Sequence, residues 1–364
     1  MFLVILFASL VPLAVFTWMA FGVRKSGRRQ KQKISQQAIS VVIPFRNERQ
    51  NLPGLLQSLN AVKLINGDEI LLIDDGSDDG GIEEGIFIRP EIKVMRLLAE
   101  IEGSKKAAIT FGINESKNAW ILTSDADCSF GPEWVNEMRK RATSTARMII
   151  GPVLTKPAGN LFLRIIQRYE SVCLLAISAG TCGWRVPILC SGANLLFSKI
   201  SWKMVNGYAS HSTVTSGDDV LFMNDLWKYD RSGIEIISTP GSLVFTQGVN
   251  SWKSWLEQRE RWISKTAHVD HFIKRLISFG VICWLYIPVL AIIISMFFGM
   301  MVFWLFLIVE AIMVFGILRG FGEKFRLDHW VIFRFMYPLF MLHLWVFRNK
   351  ADLQWKGRPV NGNR

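Results

Sequence analysis

The run Trp120-Ile121-Leu122-Thr123-Ser124-Asp125-Ala126-Asp127 reads as a short buried strand that ends in two carboxylates. Two aspartates at i and i+2 just past a strand end can aim at one ion. Mg²⁺ and Mn²⁺ favour carboxylate oxygens and complete their shells with water and substrate phosphates. The same spacing also suits a plain turn or helix cap, so the context on either side carries the argument.

Upstream, apolar runs alternate with helical spacing. Ile39–Ile43 predicts a buried strand, followed by the loop Pro44–Glu48. Leu52, Leu55, Leu56 and Leu59 then share one helical face. Further strands are expected at Glu69–Ile73 and Ile92–Leu97, and a helix opening at Gly103-Ser-Lys105-Lys106. Strand–helix alternation predicts an α/β domain with a parallel sheet. Such sheets place ligands at the carboxyl ends of their strands. Here those ends carry Glu48, Asp74, Asp75, Asp125 and Asp127. No GxGxxG or GxxxxGK[ST] run occurs, so neither a dinucleotide fingerprint nor a P-loop is present. Acids at a nucleotide site can accept from base and ribose, or hold a cation against a diphosphate.

Downstream the rhythm changes. Strands are expected at Met148–Val153, at Leu189–Phe197 around Gly192, and within Ile234–Val244. Leu161–Ile177 predicts a long amphipathic helix. Ser216-Gly-Asp218-Asp219 opens another, with both acids in its first turn. Ser251–Leu276 predicts a helix dense in Trp and Arg, suited to a headgroup interface.

The two ends read as membrane segments. Met1–Gly22 carries no charge, and basic residues from Arg24 to Lys33 follow it. A run of this length spans a hydrocarbon core, and the positive-inside tendency puts the next domain in the cytoplasm. A signal peptide would want a basic start and a small-residue cleavage site. Residues 23–38 predict a basic linker, and 39–250 the main domain, divided into halves at 39–130 and 131–250. An interfacial helix follows at 251–276, then two spans within 277–318. A third apolar segment at 329–347 is interrupted by Arg334, Pro338 and His343, and is expected to be interfacial or re-entrant rather than spanning. The basic tail is 348–364. Glu310, inside the apolar run, faces either a neighbouring helix or a lipid path.

Composition agrees with this division. Half of the 364 residues are apolar, 20% are charged, and the net charge is +12. The basic residues cluster beside the apolar runs, which favours anionic lipid and a phosphate-bearing substrate over nucleic acid, for which no recognition motif is present. Five cysteines without a CxxC pair point to reduced thiols, not to structural zinc or a disulfide framework.

Seven motifs fall in order: VVIPFRNE at 41–48, IDDGSDD at 73–79, GSKKAAI at 103–109, TSDAD at 123–127, SGANLLF at 191–197, GDDVLF at 217–222 and QRERW at 258–262. As a set they resemble a membrane-bound family 2 glycosyltransferase with the GT-A fold. The last fits the QxxRW pattern of cellulose-, chitin- and hyaluronan-synthase-like enzymes and of some lipid glycosyltransferases.

The resemblance implies an α/β GT-A domain with an N-terminal anchor and C-terminal transmembrane helices. It also implies an inverting, metal-dependent hexosyltransferase using Mg²⁺ or Mn²⁺. Pro44, Glu48, one or both of Asp74 and Asp75, Lys105, Asp125 and Arg261 would hold the nucleotide-sugar, with UDP the favoured nucleotide; Lys106 leaves the lysine register open by one. Asp125 and Asp127 would hold the metal, and Asp219 would be the base. Gly192, Asn194, Asp218, Gln258 and Trp262 would face the acceptor, although Gly192 and Asn194 could equally shape the backbone beside it. Asp78 and Asp79 are expected to be turn formers only.

The implied chemistry is transfer to a lipid or polysaccharide acceptor at the cytoplasmic face of a bacterial inner membrane. A processive polysaccharide synthase is the alternative, though two firm spans are few for a translocation channel. An inactive nucleotide-binding subunit and a haloacid-dehalogenase-like phosphohydrolase with Asp125 as nucleophile are further alternatives. The phosphohydrolase reading leaves 41–48, 73–79 and 258–262 unused.

Overall fold

The computed structural model describes residues 14–15, 17–26, 35–80, 89–97, 104–209, 218–266, 271–294, 296–346, 354–355 and 358–359. Sequence expectations that fall elsewhere, among them residues 1–13, the linker residues 27–34, Gly103, Gly217 and most of the tail, lie outside the described residues. The chain divides into two compact units. One joins 27–156, 189–247 and 352–364; the other joins 1–26, 157–188 and 248–351. Residues 157–188, inside the 39–250 domain read from the sequence, thus cluster with the C-terminal helices.

The first unit is built on strands β1 (Ile39–Phe45), β2 (Glu69–Asp74), β3 (Ile92–Arg96) and β4 (Trp120–Thr123). After them come β5 (Cys128–Phe130), β6 (Met148–Ile150), β7 (Val153–Lys156), β8 (Leu195–Ser198), β9 (Ile234–Ile236) and β10 (Val244–Gln247). Seven form one sheet in the order β3-β2-β1-β4-β8-β6-β9. The parallel sheet expected from the alternation is its β3-β2-β1-β4 half. Beyond β4 the sheet turns mixed, because β8 runs antiparallel to both β4 and β6. A second sheet has the order β5-β10-β7.

Every residue of β1, β2 and β4 is buried. That is why these strands read as unbroken apolar runs: a parallel strand covered on both faces has no solvent side to mark with polar residues. Helix α1 (Leu52–Ala61) buries Leu52, Leu55, Leu56 and Leu59, the predicted stripe. Helix α2 (Lys105–Glu115) starts where Ser104 caps it, its hydroxyl accepting from Ala107 N–H. It lies so close to the sheet that a Cβ on Gly112 would stand 2.5 Å from Val42 Cγ1. Any side chain there would push α2 off β1.

At the opposite ends of the strands the sheet is pinned by buried acids. Asp68 Oδ1 accepts from Ile39 N–H at 2.8 Å, and its other oxygen pairs with Arg139. Glu69 Oε1 accepts from Ser40 Oγ at 2.8 Å and from Lys117 N–H at 2.6 Å. The carboxyl ends are left to function.

Helix α3 (Trp134–Arg139) packs beneath the turn at 240–242, and α5 (Lys199–Met204) follows β8. Between them in the chain, α4 (Leu161–Gly183) belongs to the second unit. It continues six residues past the predicted end at Ile177, through Ser-Ala-Gly-Thr-Cys-Gly, all of them buried. Helix α6 (Asp218–Tyr229) is part of the first unit.

The second unit adds α7 (Trp252–Thr266), α8 (Phe272–Ile294), α9 (Met296–Gly320) and α10 (Leu327–Val346). Its buried charges are paired. Arg334 on α10 donates Nε to Glu310 Oε2 at 2.9 Å and Nη1 to the Leu285 carbonyl at 2.8 Å. Glu310 therefore faces a neighbouring helix. Glu170 on α4 accepts from Arg259 Nε at 2.7 Å, from Trp255 Nε1 at 3.2 Å and from Tyr337 Oη at 3.0 Å. Buried ions survive when paired in this way. Among the described residues, no helix is long and apolar enough to cross a membrane.

Candidate active site

The chain leaves β1 in one direction, through β2 to β3, and returns to place β4 on the other side of β1. This reversal opens a crevice at the carboxyl ends of β1 and β4, where ligands of open α/β sheets sit. The β1–β4 ladder stops at Val42–Thr123, whereas the β1–β2 ladder continues to Phe45–Asp74. Pro44 lies beyond the last β4 pair, so its missing N–H costs that ladder no bond. It is buried within β1.

The loops after β1 and β2 are laced together. Asn47, at φ 51°, accepts from Asp78 N–H at 3.0 Å and donates its own N–H to Ser77 Oγ at 3.0 Å. Asp79 Oδ2 accepts from Arg49 N–H at 2.8 Å, a bond between the two loops. Glu48 Oε2 accepts from Asn51 Nδ2 at 2.6 Å. Asp74 is fully buried, with Oδ1 accepting from Ser77 N–H at 2.8 Å and Oδ2 lying 3.4 Å from Arg96 Nε. The turn thus holds one carboxylate oxygen, while the other is buried without a hydrogen-bond partner.

Asp75 is also buried, and its backbone carbonyl accepts from Arg46 Nη1 at 3.0 Å. Burial pushes its carboxyl up to about 6; Arg46 pulls it down and the adjacent Asp74 carboxylate adds to the rise.

At the end of β4, Asp125 Oδ1 lies 2.5 Å from Lys105 Nζ, in the first turn of α2. Of the two adjacent lysines, Lys105 is the one this ion pair places at the crevice. Asp127 Oδ2 accepts from Thr246 Oγ1 at 3.1 Å, and its carbonyl accepts from Gln247 N–H at 3.1 Å. Burial pushes Asp127 up to about 6, and the carboxylates of Asp125 and Glu48 push the same way; Lys105 and the Thr246 hydroxyl oppose them. Three carboxylates thus face one another across the crevice with Lys105 among them.

This donor set fits a hard divalent cation. Asp125 and Asp127 supply two oxygens, and a diphosphate with water completes such a shell. Among the described residues, no group of three or more His, Cys, Asp or Glu side chains is arranged to hold a metal ion by itself.

On the other side of the crevice stands the turn Gly192–Asn194. Gly192 N–H donates to Asp219 Oδ2 at 2.8 Å, and Val220 N–H donates to Asp219 Oδ1 at 2.9 Å. Asp219 is thereby fixed near the start of α6. Asp218 opens that helix, and its side chain lies outside what is described.

Asn194 requires a correction. It is fully buried; its amide donates to the carbonyls of Pro152 at 2.9 Å and Ser242 at 2.8 Å, and accepts from Trp134 Nε1 at 3.0 Å. Its polar atoms are committed to holding the turn, so it shapes the backbone and does not face an acceptor.

Gln258, Arg261 and Trp262 lie on α7 of the helical unit. Between them Arg259, buried against Glu170, also stacks over Trp262 at 4.2 Å and binds the Gln258 side-chain oxygen. The inward residue of QRERW is therefore Arg259, which pattern reading passed over.

Several residues at the crevice were also passed over: Arg46, Asn47, Thr123, Ser124 and Thr246. Their signal lay in contacts between segments distant in sequence, such as Thr246 with Asp127. Only Thr123 and Ser124 stood inside the key run, as polar residues ending an apolar strand.

Residues 40–205 match the family model described as glycosyl transferase family 2. An undecaprenyl-phosphate 4-deoxy-4-formamido-L-arabinose transferase of Photorhabdus laumondii is 32% identical over 147 residues, covering 34% of this chain and 45% of that protein. The enzyme of the same name from Aeromonas hydrophila is 35% identical over 118 residues, covering 29% and 33%. The chain thus matches less than half the length of these curated relatives. Among solved structures, the mannosyltransferase PcManGT from Pyrobaculum calidifontis, in complex with GDP-Man and Mn²⁺, superposes with a TM-score of 0.51 at 11% identity, over 94% of this chain and 100% of that one. This likeness concerns the fold. The chain therefore carries a family 2 glycosyltransferase domain with the GT-A fold.

Proposed function

We propose that the protein transfers a sugar from a nucleoside-diphosphate donor to a membrane lipid acceptor of the polyprenyl-phosphate kind. The observation that carries this is the crevice itself: Glu48, Lys105, Asp125 and Asp127 on the donor side, with Asp219 held opposite by Gly192 N–H. The names of the relatives support the lipid acceptor.

In this reading the nucleoside lies over the loops after β1 and β2, with Glu48 and Asp75 as its acid contacts. The diphosphate lies against Lys105 and the Asp125-Ala-Asp127 loop. Asp125 and Asp127 would hold Mg²⁺ or Mn²⁺, which supplies positive charge to the departing diphosphate. Lys105 contributes charge to the same group. Asp219 faces the incoming acceptor oxygen from the other side, so the product has inverted configuration. For a hydroxyl acceptor, Asp219 takes the proton as the oxygen attacks. A lipid phosphate arrives largely ionised, its second pKa being about 6, and there Asp219 orients the nucleophile. The resemblance also implies donor and acceptor roles for Gln258, Arg261 and Trp262. We further propose that the protein acts at the cytoplasmic membrane, on its cytoplasmic side.

The test is product analysis. Membranes containing the protein receive labelled UDP-glucose, UDP-N-acetylglucosamine, UDP-galactose or GDP-mannose with undecaprenyl phosphate and Mn²⁺. Label in solvent-extractable lipid supports the proposal. Label confined to polymer favours the processive synthase, and absence of label from both overturns the enzyme reading for these donors.

A further inference from the structure

We propose that Thr123 and Ser124 are positioning residues: through the Gly192–Asn194 turn they fix the Asp219 carboxylate relative to the Asp125-Ala-Asp127 loop. Thr123 Oγ1 donates to the Gly192 carbonyl at 2.8 Å, and Ser124 Oγ donates to the Ala193 carbonyl at 2.7 Å. Two consecutive carbonyls of the turn are thus held by two consecutive hydroxyls of the donor loop. Both residues are buried, at 2% and 0% exposure. A buried hydroxyl without a partner is costly, and an apolar strand end would be served as well by valine and alanine. The β4–β8 backbone ladder pairs Thr123 with Leu195 and needs neither hydroxyl.

The rest of the turn is bound from within. Ser191 Oγ accepts from Ala193 N–H at 3.3 Å, and the Asn194 amide reaches Pro152, Ser242 and Trp134. On the outer side, Gly192 N–H is the group that grips Asp219. A shift of the turn away from β4 would carry that N–H with it. Donor loop and acceptor-side carboxylate are therefore linked by a chain of short hydrogen bonds: Ser124 and Thr123 to the turn, and the turn to Asp219. Displacing a reacting group by about 1 Å can cost on the order of 10²-fold in rate.

The inference rests on Asp219 acting as proposed above. Thr123→Val and Ser124→Ala, singly and together, remove the hydroxyls; Thr123→Ser and Ser124→Thr retain them. The quantities read are kcat, donor KM, and affinity for the nucleoside diphosphate released from the donor that the labelling panel identifies. The expected result is a kcat loss of about 10- to 100-fold in the hydroxyl-free pair, with nucleotide affinity within about twofold of the parent and recovery in the hydroxyl-retaining variants.

Unchanged kcat overturns the inference. So does nucleotide affinity falling in step with kcat, because the hydroxyls would then serve the donor loop alone. Equal losses in hydroxyl-free and hydroxyl-retaining variants would reduce them to packing groups. The single variants hold different carbonyls, so each carries the test if the pair does not fold. Should Asp219→Asn itself turn over like the parent, the functional reading fails; should Asp219→Asn be slow while these variants are not, only the inference fails.

Discussion

Lys105 Nζ stands 2.5 Å from Asp125 Oδ1, where a lysine expected to meet a diphosphate is paired with a carboxylate expected to meet a metal. Lys105 thus faces Asp125, Asp127 and Glu48; burial raises Asp127, and the other two carboxylates add to the rise. In the proposed function, Lys105 offsets the charge of these carboxylates until the donor arrives and then meets the diphosphate.

Replacing Lys105 should therefore move two affinities in opposite directions. Lys105→Ala leaves the carboxylates more negative, so Mn²⁺ alone should bind about 3- to 10-fold tighter. The donor loses a charge-assisted hydrogen bond of roughly 1.5–3 kcal/mol, so donor KM should rise about 10- to 100-fold. Mn²⁺ titration with and without nucleotide separates the two. A parallel loss of both would contradict the arrangement.

Asp75 gives a pH dependence. Its folded-state carboxyl lies at about 6, raised from 3.8 mainly by burial. Between these values the folded protein holds a proton that the unfolded chain has released, so stability falls as pH rises through that window. The ceiling on this effect is about 3 kcal/mol. Urea unfolding from pH 4 to pH 7 should show the decline, and Asp75→Asn should reduce it, leaving the part that Asp127, also raised to about 6, contributes. A parent profile that already rises over this range would contradict the sign.

Asn194 should behave as a structural residue. Asn194→Ala strips partners from two buried carbonyls and the Trp134 indole N–H. At about 1–3 kcal/mol for each buried group left unsatisfied, the expected destabilisation is roughly 3 kcal/mol or more. Chemical denaturation measures it. A variant of parental stability with a raised acceptor KM would restore Asn194 to the acceptor site.

Much of the parallel half was legible because each buried strand is an apolar run and each loop after it carries acids: Glu48, Asp74, Asp75, Asp125 and Asp127 all fall at strand ends. What the sequence could not separate was an acid facing a ligand from an acid serving a turn. Asp74 and Asp75 are neighbours in the same motif, yet the Ser77 N–H holds one oxygen of Asp74. Asn194 looked like a polar residue beside an acceptor because its three partners come from segments far away in sequence. The turn toward antiparallel pairing at β8 was hidden for the same reason, since pairing direction depends on where the connection returns. Thr246 gave no local sign at all; it meets Asp127 only because β10 pairs with β5.

The most direct test is Asp127→Ala in the labelled-lipid assay, with the parent in excess chelator run beside it. The account predicts label in extractable lipid for the parent with Mn²⁺, and loss of at least about 10³-fold in both the variant and the chelated parent. Transfer that survives both would contradict it and return Asp125-Ala-Asp127 to the status of a turn.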